Sequence, residues 1–233
     1  MKIAVMQPYI FPYLGYFQLI KSVDTFVFYD DVNFIKRGWI NRNKILINGE
    51  ESLITFPCLK VSQNKKIREV EIDLSDKQYK KILKTISLAY QKAPNFKDIF
   101  PIVKDCLESD SKTISELAIY SIKQICDYIN ISTKFEISSS KYSNTKSLDK
   151  ADRLIEIVKL EKGTKYINAI GGRELYTKEY FKSKNIDLQF LNPLKSEYNQ
   201  FDNKFIPNLS IIDVLMFNSP EKVKKMTGNY ELL

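Results

Sequence analysis

The chain has 233 residues, with 36 Lys and Arg against 28 Asp and Glu for a formal charge of +8, and it contains no histidine. The missing imidazole excludes Ser-His-Asp and Cys-His catalysis, histidine–zinc sites and an imidazole general base. Any proton transfer must therefore fall to Asp, Glu, Lys, Tyr or a group of the substrate.

The length suits one substantial core, so the expected organisation is a single α/β domain over 1–233, with 75–130 as a helical insertion or lobe. Seven glycines argue against a Gly-rich phosphate loop, and no apolar run reaches the ~20 residues of a membrane span. The positive charge suits an anionic partner such as a nucleotide, a sugar phosphate or RNA; a lysine-rich solvated surface accounts for it equally well. Cys58, Cys106 and Cys126 form no CxxC pair and read as free, partly buried thiols, with no zinc. Gln7, Pro8 and Pro12 interrupt the apolar run after IAVM, so the opening does not read as a signal peptide and the expected location is the cytoplasm.

In chain order, Lys2–Met6 reads as a short buried strand. A helical pattern then runs from Leu14 through Phe17, Leu19, Ile20 and Val23, and TFVFYD reads as a second strand ending in acids. Strand, loop, helix and strand within about 30 residues is the footprint of a parallel βαβ unit, whose ligand sits at the carboxyl ends of the strands. Asn48-Gly49 between two apolar runs predicts a β-hairpin.

The segment REVEIDL reads as a strand, followed by three helical segments within Ser75–Asn130. Ser75 with Gln78 and Thr113 with Glu116 have capping-box spacing. Alternation resumes with strand KFEI, helix Leu148–Leu160, strand KYINAI, helix Glu174–Ser183 and strand IDLQFL, then one or two helices after Leu209. The polar run 138–147 is the candidate mobile loop, unless Ser147 caps the helix behind it. The fold class is α/β, a Rossmann-like three-layer core with a mostly helical lobe and a β-hairpin.

Three segments carry candidate chemistry. Tyr13-Leu14-Gly15-Tyr16 has the spacing of the His-x-Gly-His helix start of HUP-class nucleotidyltransferases, with tyrosine at both histidine positions. There a glycine admits a ligand to the backbone and the helix end favours phosphate. An aromatic loop packed over the sheet explains the same residues.

The run YDDVNFIKRGWINRN joins Asp30 and Asp31 to Lys36, Arg37, Trp39, Asn41 and Arg42. Cations bind phosphate, carboxylates grip ribose hydroxyls or take a proton, and a ring stacks on base or sugar. Gly171-Gly172 stands between a strand and a helix, where free N–H groups cradle an oxyanion or form a plain turn. Ser210 and Asp213 have capping-box spacing and read as structural.

Taken together, MKIAVMQPYIFPYLGYFQLI, DTFVFYDDVNFIKRGWINRNKIL, KAPNF, YINAIGGRELY and YNQFDNKFIPNLSIIDVLMFNSPE resemble the WbqC-like family of bacteria over nearly the whole chain. The resemblance implies a cytoplasmic protein of O-antigen or other surface-polysaccharide loci. It implies an enzyme that modifies a nucleotide-linked amino sugar, by aminoacyl transfer such as glycyl transfer to the sugar amine. The matching positions include Gln7, Pro8, Tyr13, Gly15, Tyr16, Asp30, Asp31, Lys36, Trp39, Asn41, Arg42, Gly171 and Gly172, and the family supplies no catalytic set to carry over.

On that reading Lys36, Arg37 and Arg42 anchor the diphosphate, and Trp39 or Tyr16 stacks on base or sugar. Asp31 is the expected base with Asp30 bracing the loop, because adjacent strand residues point to opposite faces. Tyr13 or the Gly172 N–H steadies the oxyanion. The acyl donor stays open between a charged tRNA and an adenylate made from ATP, and no metal is assigned. Two alternatives stand beside this: a nucleotidyltransferase or ATP-dependent ligase, with Asp30-Asp31 as its metal carboxylates, and a non-catalytic nucleotide-sugar binding protein. The oligomeric state is open, a homodimer included.

Overall fold

The computed structural model describes residues 1–73, 77–201 and 204–233. The first unit is β1 (Lys2–Met6), α1 (Leu14–Lys21) and β2 (Thr25–Phe28), with the two strands parallel as their short apolar runs require. A separate hairpin follows, β3 (Arg42–Ile47) against β4 (Glu50–Thr55). Its turn residues Asn48 and Gly49 both have positive φ, 52° and 81°, the left-handed pair that a two-residue hairpin demands.

Three helices come next: α2 (Lys77–Tyr90), α3 (Phe96–Leu107) and α4 (Ile114–Tyr128). Thr113 and Glu116 form a reciprocal capping box at the start of α4. The chain then runs through β5 (Lys134–Ile137), a short α5 (Ser138–Lys141), α6 (Lys150–Leu160), β6 (Lys165–Ala169), α7 (Lys178–Ser183) and β7 (Asp187–Pro193). It closes with α8 (Ile211–Phe217), α9 (Pro220–Met226) and β8 (Tyr230–Leu232).

The main sheet has the order β5-β2-β1-β6-β7-β8, and only β8 is antiparallel. Its five parallel strands, counted in chain order, lie 3-2-1-4-5, the doubly wound Rossmann arrangement. Alternation along β1 sorts the two faces. Ile3 and Val5 join Leu154, Val158 and Phe181 under α6 and α7, whereas Ala4 joins Phe17, Ile20, Ile122 and Ile212 under α1, α4 and α8. Two buried faces make three layers, so β1 reads as a continuous apolar run. The order reverses between β1 and β6, and a crevice forms beyond the carboxyl ends of strands at such a point.

Several expectations are corrected. The strand expected over REVEIDL is a 3-10 turn, Ile67–Glu69, followed by isolated bridges at Glu71 and Ile72, because its backbone bonds go to loops rather than a neighbouring strand. Its last residue, Leu74, lies outside the described residues, as do Ser75 and the Gln78 side chain of the first capping box. Strand β2 stops at Phe28, before the acids. The helix expected from Glu174 is a 3-10 turn, Ile170–Glu174, and then α7. The tail holds β8 besides its helices. Run 138–147 is not loose: Ser138 and Thr145 are buried within α5 and a 3-10 turn. Nor does Ser147 cap α6, whose N-cap is Asp149.

Candidate functional site

The aromatic loop after β1 is pinned from three sides. Phe11 has φ of 41°, a left-handed conformation that costs an aromatic residue energy unless its surroundings hold it. Asn43 of β3 donates to the Phe11 carbonyl at 2.5 Å and to that of Ile10 at 3.2 Å. Ser210 Oγ donates to the Phe11 carbonyl at 2.7 Å. The Ile10 N–H reaches the Ile40 carbonyl, and the Ile211 N–H reaches that of Pro12. Tyr16 closes the loop by donating to the Gln7 carbonyl at 2.8 Å.

Tyr16 is 2% exposed and packs on Tyr9, Phe17 and Phe26. It is a core ring, which corrects its assignment as a stacking platform. Gly15 is required for a different contact than expected. A Cβ there would collide with the Tyr13 ring and come within 3.1 Å of Pro193 Cγ, so the glycine admits a side chain of the protein itself to the helix start. Tyr13 remains half-buried and makes no side-chain cap to α1. Burial raises its phenol above the ordinary value. Gln7 stays half-buried at the mouth of β1.

Asp30 and Asp31 both turn inward, each 4% exposed. The chain bends after β2, so the strand alternation expected to separate them does not apply. Ser138 Oγ lies 3.0 Å from Asp30 Oδ1 and 2.6 Å from Asp31 Oδ1. The Ser139 N–H and Oγ donate to Asp30 at 2.9 and 2.7 Å. Arg153 of α6 pairs with Asp31 Oδ2 at 2.6 Å, with side-chain exposures of 6% and 1%. Arg153 also donates to Thr145 and Tyr29 and lies 4.8 Å from the centre of the Tyr29 ring. The expected pose, Asp31 facing a cleft with Asp30 as brace, is corrected: Asp30 ties the end of β2 to Ser138 and Ser139 beyond β5, and Asp31 ties it to Ser138 and to α6. Among the described residues no three Cys, Asp or Glu side chains converge as a metal set.

The basic segment behind the acids divides in two. Asn41 is buried and donates to the Phe56 carbonyl at 2.9 Å, and Arg42 Nε donates to the Gly38 carbonyl at 3.0 Å. Both shape the loop, although Arg42 is only half-buried. Lys36, Arg37 and Trp39 are exposed, Trp39 by 46%. The Phe34 N–H donates to the Lys65 carbonyl and the Ile67 N–H to that of Val32. Lys66 Nζ donates to Asn33 at 2.8 Å. Lys65 and Lys66 are thereby fastened beside the 33–39 tip.

Beyond β6, Gly171 is exposed and a Cβ there would meet nothing, whereas one at Gly172 would collide with the Asn168 side chain. Both lie in the 3-10 turn Ile170–Glu174: the Gly172 N–H is the first donor of the turn, whereas that of Gly171 precedes it and has no acceptor among the described residues. Ser210 caps α8 by accepting from the Ile212 N–H, but the Asp213 carboxylate points elsewhere. It accepts from Tyr90 at 2.9 Å, Tyr198 at 2.6 Å and Gln200 at 2.7 Å, with no cation among the described residues. Burial raises its carboxyl above the ordinary value despite those bonds.

Sequence reasoning passed over Ser138, Ser139 and Arg153, which hold the acids, and Tyr198 and Gln200, which hold Asp213. Serine in a polar run and arginine on a helix give no local signal for such contacts.

Two cavities frame the sheet. One of about 660 Å3 lies at the amino ends of β6 and β7, lined largely by exposed side chains such as Lys178, Lys182 and Asp187. The other, about 280 Å3, lies at the carboxyl edge beside Tyr13 and Gly15. The smaller is the better site, because doubly wound sheets bind at their carboxyl edge.

No helix among the described residues is long and apolar enough to cross a membrane. Residues 7–225 match the model of the WbqC-like protein family. The chain is 30% identical over 220 residues to "Uncharacterized protein Rv1507c" of Mycobacterium tuberculosis, covering 93% of each. No solved structure matches it. The family match spans the loop, the acids, the glycine pair and the Asp213 segment alike, and the chain belongs to the WbqC-like protein family.

Proposed function

We propose that this protein modifies a nucleotide-linked amino sugar of surface-polysaccharide synthesis by transferring an acyl group, such as an aminoacyl group, to the sugar amine. The observation that carries the reading is the strand-order reversal between β1 and β6. Gln7 stands at one lip and the open, N–H-bearing Gly171-Gly172 turn at the other. Nucleotide diphosphates are bound at such a crevice, and an unsatisfied N–H such as that of Gly171 suits their oxygens. Lys36 and Arg37, with Lys65 and Lys66 fastened nearby, supply positive charge, and the exposed Trp39 supplies a ring for stacking.

In the reaction the amine nitrogen attacks the donor carbonyl, a C–N bond forms and the donor's C–O bond breaks. The departing phosphate or ribose oxygen carries the electron pair away. The amine enters as the free base or passes its proton to that leaving oxygen, since Asp30 and Asp31 are engaged by Ser138, Ser139 and Arg153. Tyr13 or the glycine pair, through the Gly171 N–H, stabilises the oxyanion. A donor adenylate would come from ATP, and a donor ester from charged tRNA.

One observation favours a second reading, a non-catalytic carrier of nucleotide sugars: both inward-turned carboxylates are withdrawn from the role of base. Calorimetric titration with a nucleoside-diphosphate amino sugar, ATP and bulk tRNA separates the possibilities. The transferase reading expects the nucleotide sugar to bind, more weakly as salt shortens the Debye length to roughly 3 Å at 1 M, and mass spectrometry to detect acylated sugar with one donor. Binding without turnover by any donor favours the carrier, and no binding of the nucleotide sugar defeats both.

A further inference from the structure

The sheet face under α6 and α7 changes character at one level. On three adjacent strands its inward residues are Ile3 and Val5 of β1, Val27 of β2 and Tyr166 of β6, all buried. Two residues beyond Val5, Val27 and Tyr166, on the same face by alternation, stand Gln7, Tyr29 and Asn168. The bonding of β2 to β1 reaches this level, because the Tyr29 N–H donates to the Met6 carbonyl at 2.8 Å. Strands β1 and β6, however, pair only at Lys2–Lys165 and Ile3–Tyr166. Their carboxyl ends are unpaired, and there the apolar row gives way to a polar one at the mouth of the crevice.

These polar groups have capacity left for a ligand. Asn168 is 7% exposed. Its Oδ1 accepts from the Ala169 N–H at 2.9 Å, which fixes the amide with Nδ2 outward. Glycine at 172 leaves room for that amide, since a Cβ there would collide with Nδ2. Gln7 Oε1 is reached by the Tyr9 hydroxyl at 3.4 Å. Tyr176 packs edge-on against Phe181 on the same face. Gln7 Nε2, Asn168 Nδ2 and the Tyr176 hydroxyl have no partner among the described residues, and none of the three is sealed from solvent. The Tyr29 oxygen accepts from Arg153 Nη1 at 3.3 Å, so its own proton is free for another acceptor. Burial pushes the Tyr166 phenol well above its ordinary value, and the Tyr176 and Tyr29 phenols add to the effect. The three hydroxyls therefore gather around one point. Burial raises Tyr29 and Tyr176 as well, so both keep their protons at neutral pH and donate.

The charge behind the row selects the ligand. Tyr29 leads through Arg153 to Asp31, and through Ser138 to Asp30, which sets two carboxylates against one guanidinium. A phosphate held only by neutral amides and phenols over that surplus negative charge is repelled, whereas an uncharged or ammonium-bearing ring is not. Amides and phenols also match ring hydroxyls, which both donate and accept. We propose that Gln7, Tyr29, Asn168 and Tyr176 form the subsite for the sugar ring of the nucleotide-linked amino sugar, with the diphosphate leading away past the Gly171 N–H. Arg153 is a positioning residue that orients Tyr29. The inference rests on the reading above for the nucleotide sugar and adds which groups hold its ring.

The test is calorimetric titration of the whole protein with a nucleoside-diphosphate amino sugar and with the same nucleoside diphosphate lacking the sugar. Two variants each delete one oxygen. Tyr176→Phe keeps the ring against Phe181, and Tyr29→Phe leaves the pair of Asp31 and Arg153 in place. Each should weaken the nucleotide sugar about three- to tenfold, as loss of one hydrogen bond does. Each should leave affinity for the bare nucleoside diphosphate within about twofold. If Tyr29→Phe fails to fold because Arg153 loses a contact, Tyr176→Phe alone decides. Undiminished nucleotide-sugar binding by Tyr176→Phe would overturn the subsite while the transferase reading stands. An equal loss for both ligands would mark a phosphate contact and overturn it too. Wild-type protein that binds no nucleotide sugar defeats the reading and the subsite together.

Discussion

Arg153→Met should be among the most damaging single changes away from the apolar core. The substitution keeps most of the side-chain volume and removes the guanidinium that pairs with Asp31 at 2.6 Å. It leaves Asp30 and Asp31 buried side by side on Ser138 with no cation. Removing one partner of a buried pair costs about 3–5 kcal/mol, mostly through the stranded charge. Loss of the contact with the Tyr29 ring adds about 0.5–2 kcal/mol. A total of about 3.5–7 kcal/mol would be a large share of the ~5–15 kcal/mol that holds a typical domain together. At ~2–4 °C per kcal/mol for a chain of this size, Tm should fall by about 10–20 °C. Urea denaturation followed by circular dichroism measures the loss. The double variant Arg153→Met/Asp31→Leu should recover part of it, because the carboxylate that lost its cation is then gone and Asp30 keeps its bonds to Ser138 and Ser139. A loss below about 1 kcal/mol, the range of exposed pairs, would refute the reasoning. The same logic reassigns Asp31→Asn: it should lower stability by stranding Arg153, whereas a catalytic base would lose turnover and leave stability intact.

The raised carboxyl of Asp213 has a definite pH signature. A carboxyl whose folded pKa lies above its unfolded one contributes its full stability below the unfolded value, about pH 4, and loses it as pH rises through the folded value. The stability of wild type relative to Asp213→Asn should therefore fall from about pH 4 upward, read from paired urea titrations; a flat or rising difference would contradict the burial argument. The adjacent glycines should behave in opposite ways. Gly171→Ala meets open space and should be neutral or stabilising by up to about 1 kcal/mol through the unfolded chain, yet weaken nucleotide-sugar binding. Gly172→Ala collides with Asn168 and should cost about 1–3 kcal/mol; equal Tm values for the two would sink this contrast.

The parts of the fold legible in the sequence are those with local causes. Asn48-Gly49 specified its turn through backbone conformation, Thr113 and Glu116 their cap, and the short apolar runs their parallel strands. What escaped depends on distant partners. REVEIDL has strand composition, but its backbone bonds to the loops around Cys58 and Lys112 instead of a strand. The pose of the acids could not be read because it is set by Ser138 and Arg153, 107 and 122 residues away. The Tyr13-Leu14-Gly15-Tyr16 spacing correctly marked a helix start, but it could not tell that the glycine makes room for Tyr13 itself. Lys36, Arg37 and Trp39 are exposed as a ligand contact requires, while Tyr16 and Asn41 went to the interior because each found a backbone carbonyl there.

The central claim is that a nucleotide sugar binds at the carboxyl edge of the sheet, over the reversal between β1 and β6. Amide chemical-shift mapping on the 15N-labelled 27.2 kDa protein tests it most directly. Titration with a nucleoside-diphosphate amino sugar should move the resonances of Gln7, Gly171 and Gly172 first. Shifts confined to Thr164, Lys182 and Asp187, around the cavity at the opposite edge, would contradict the account.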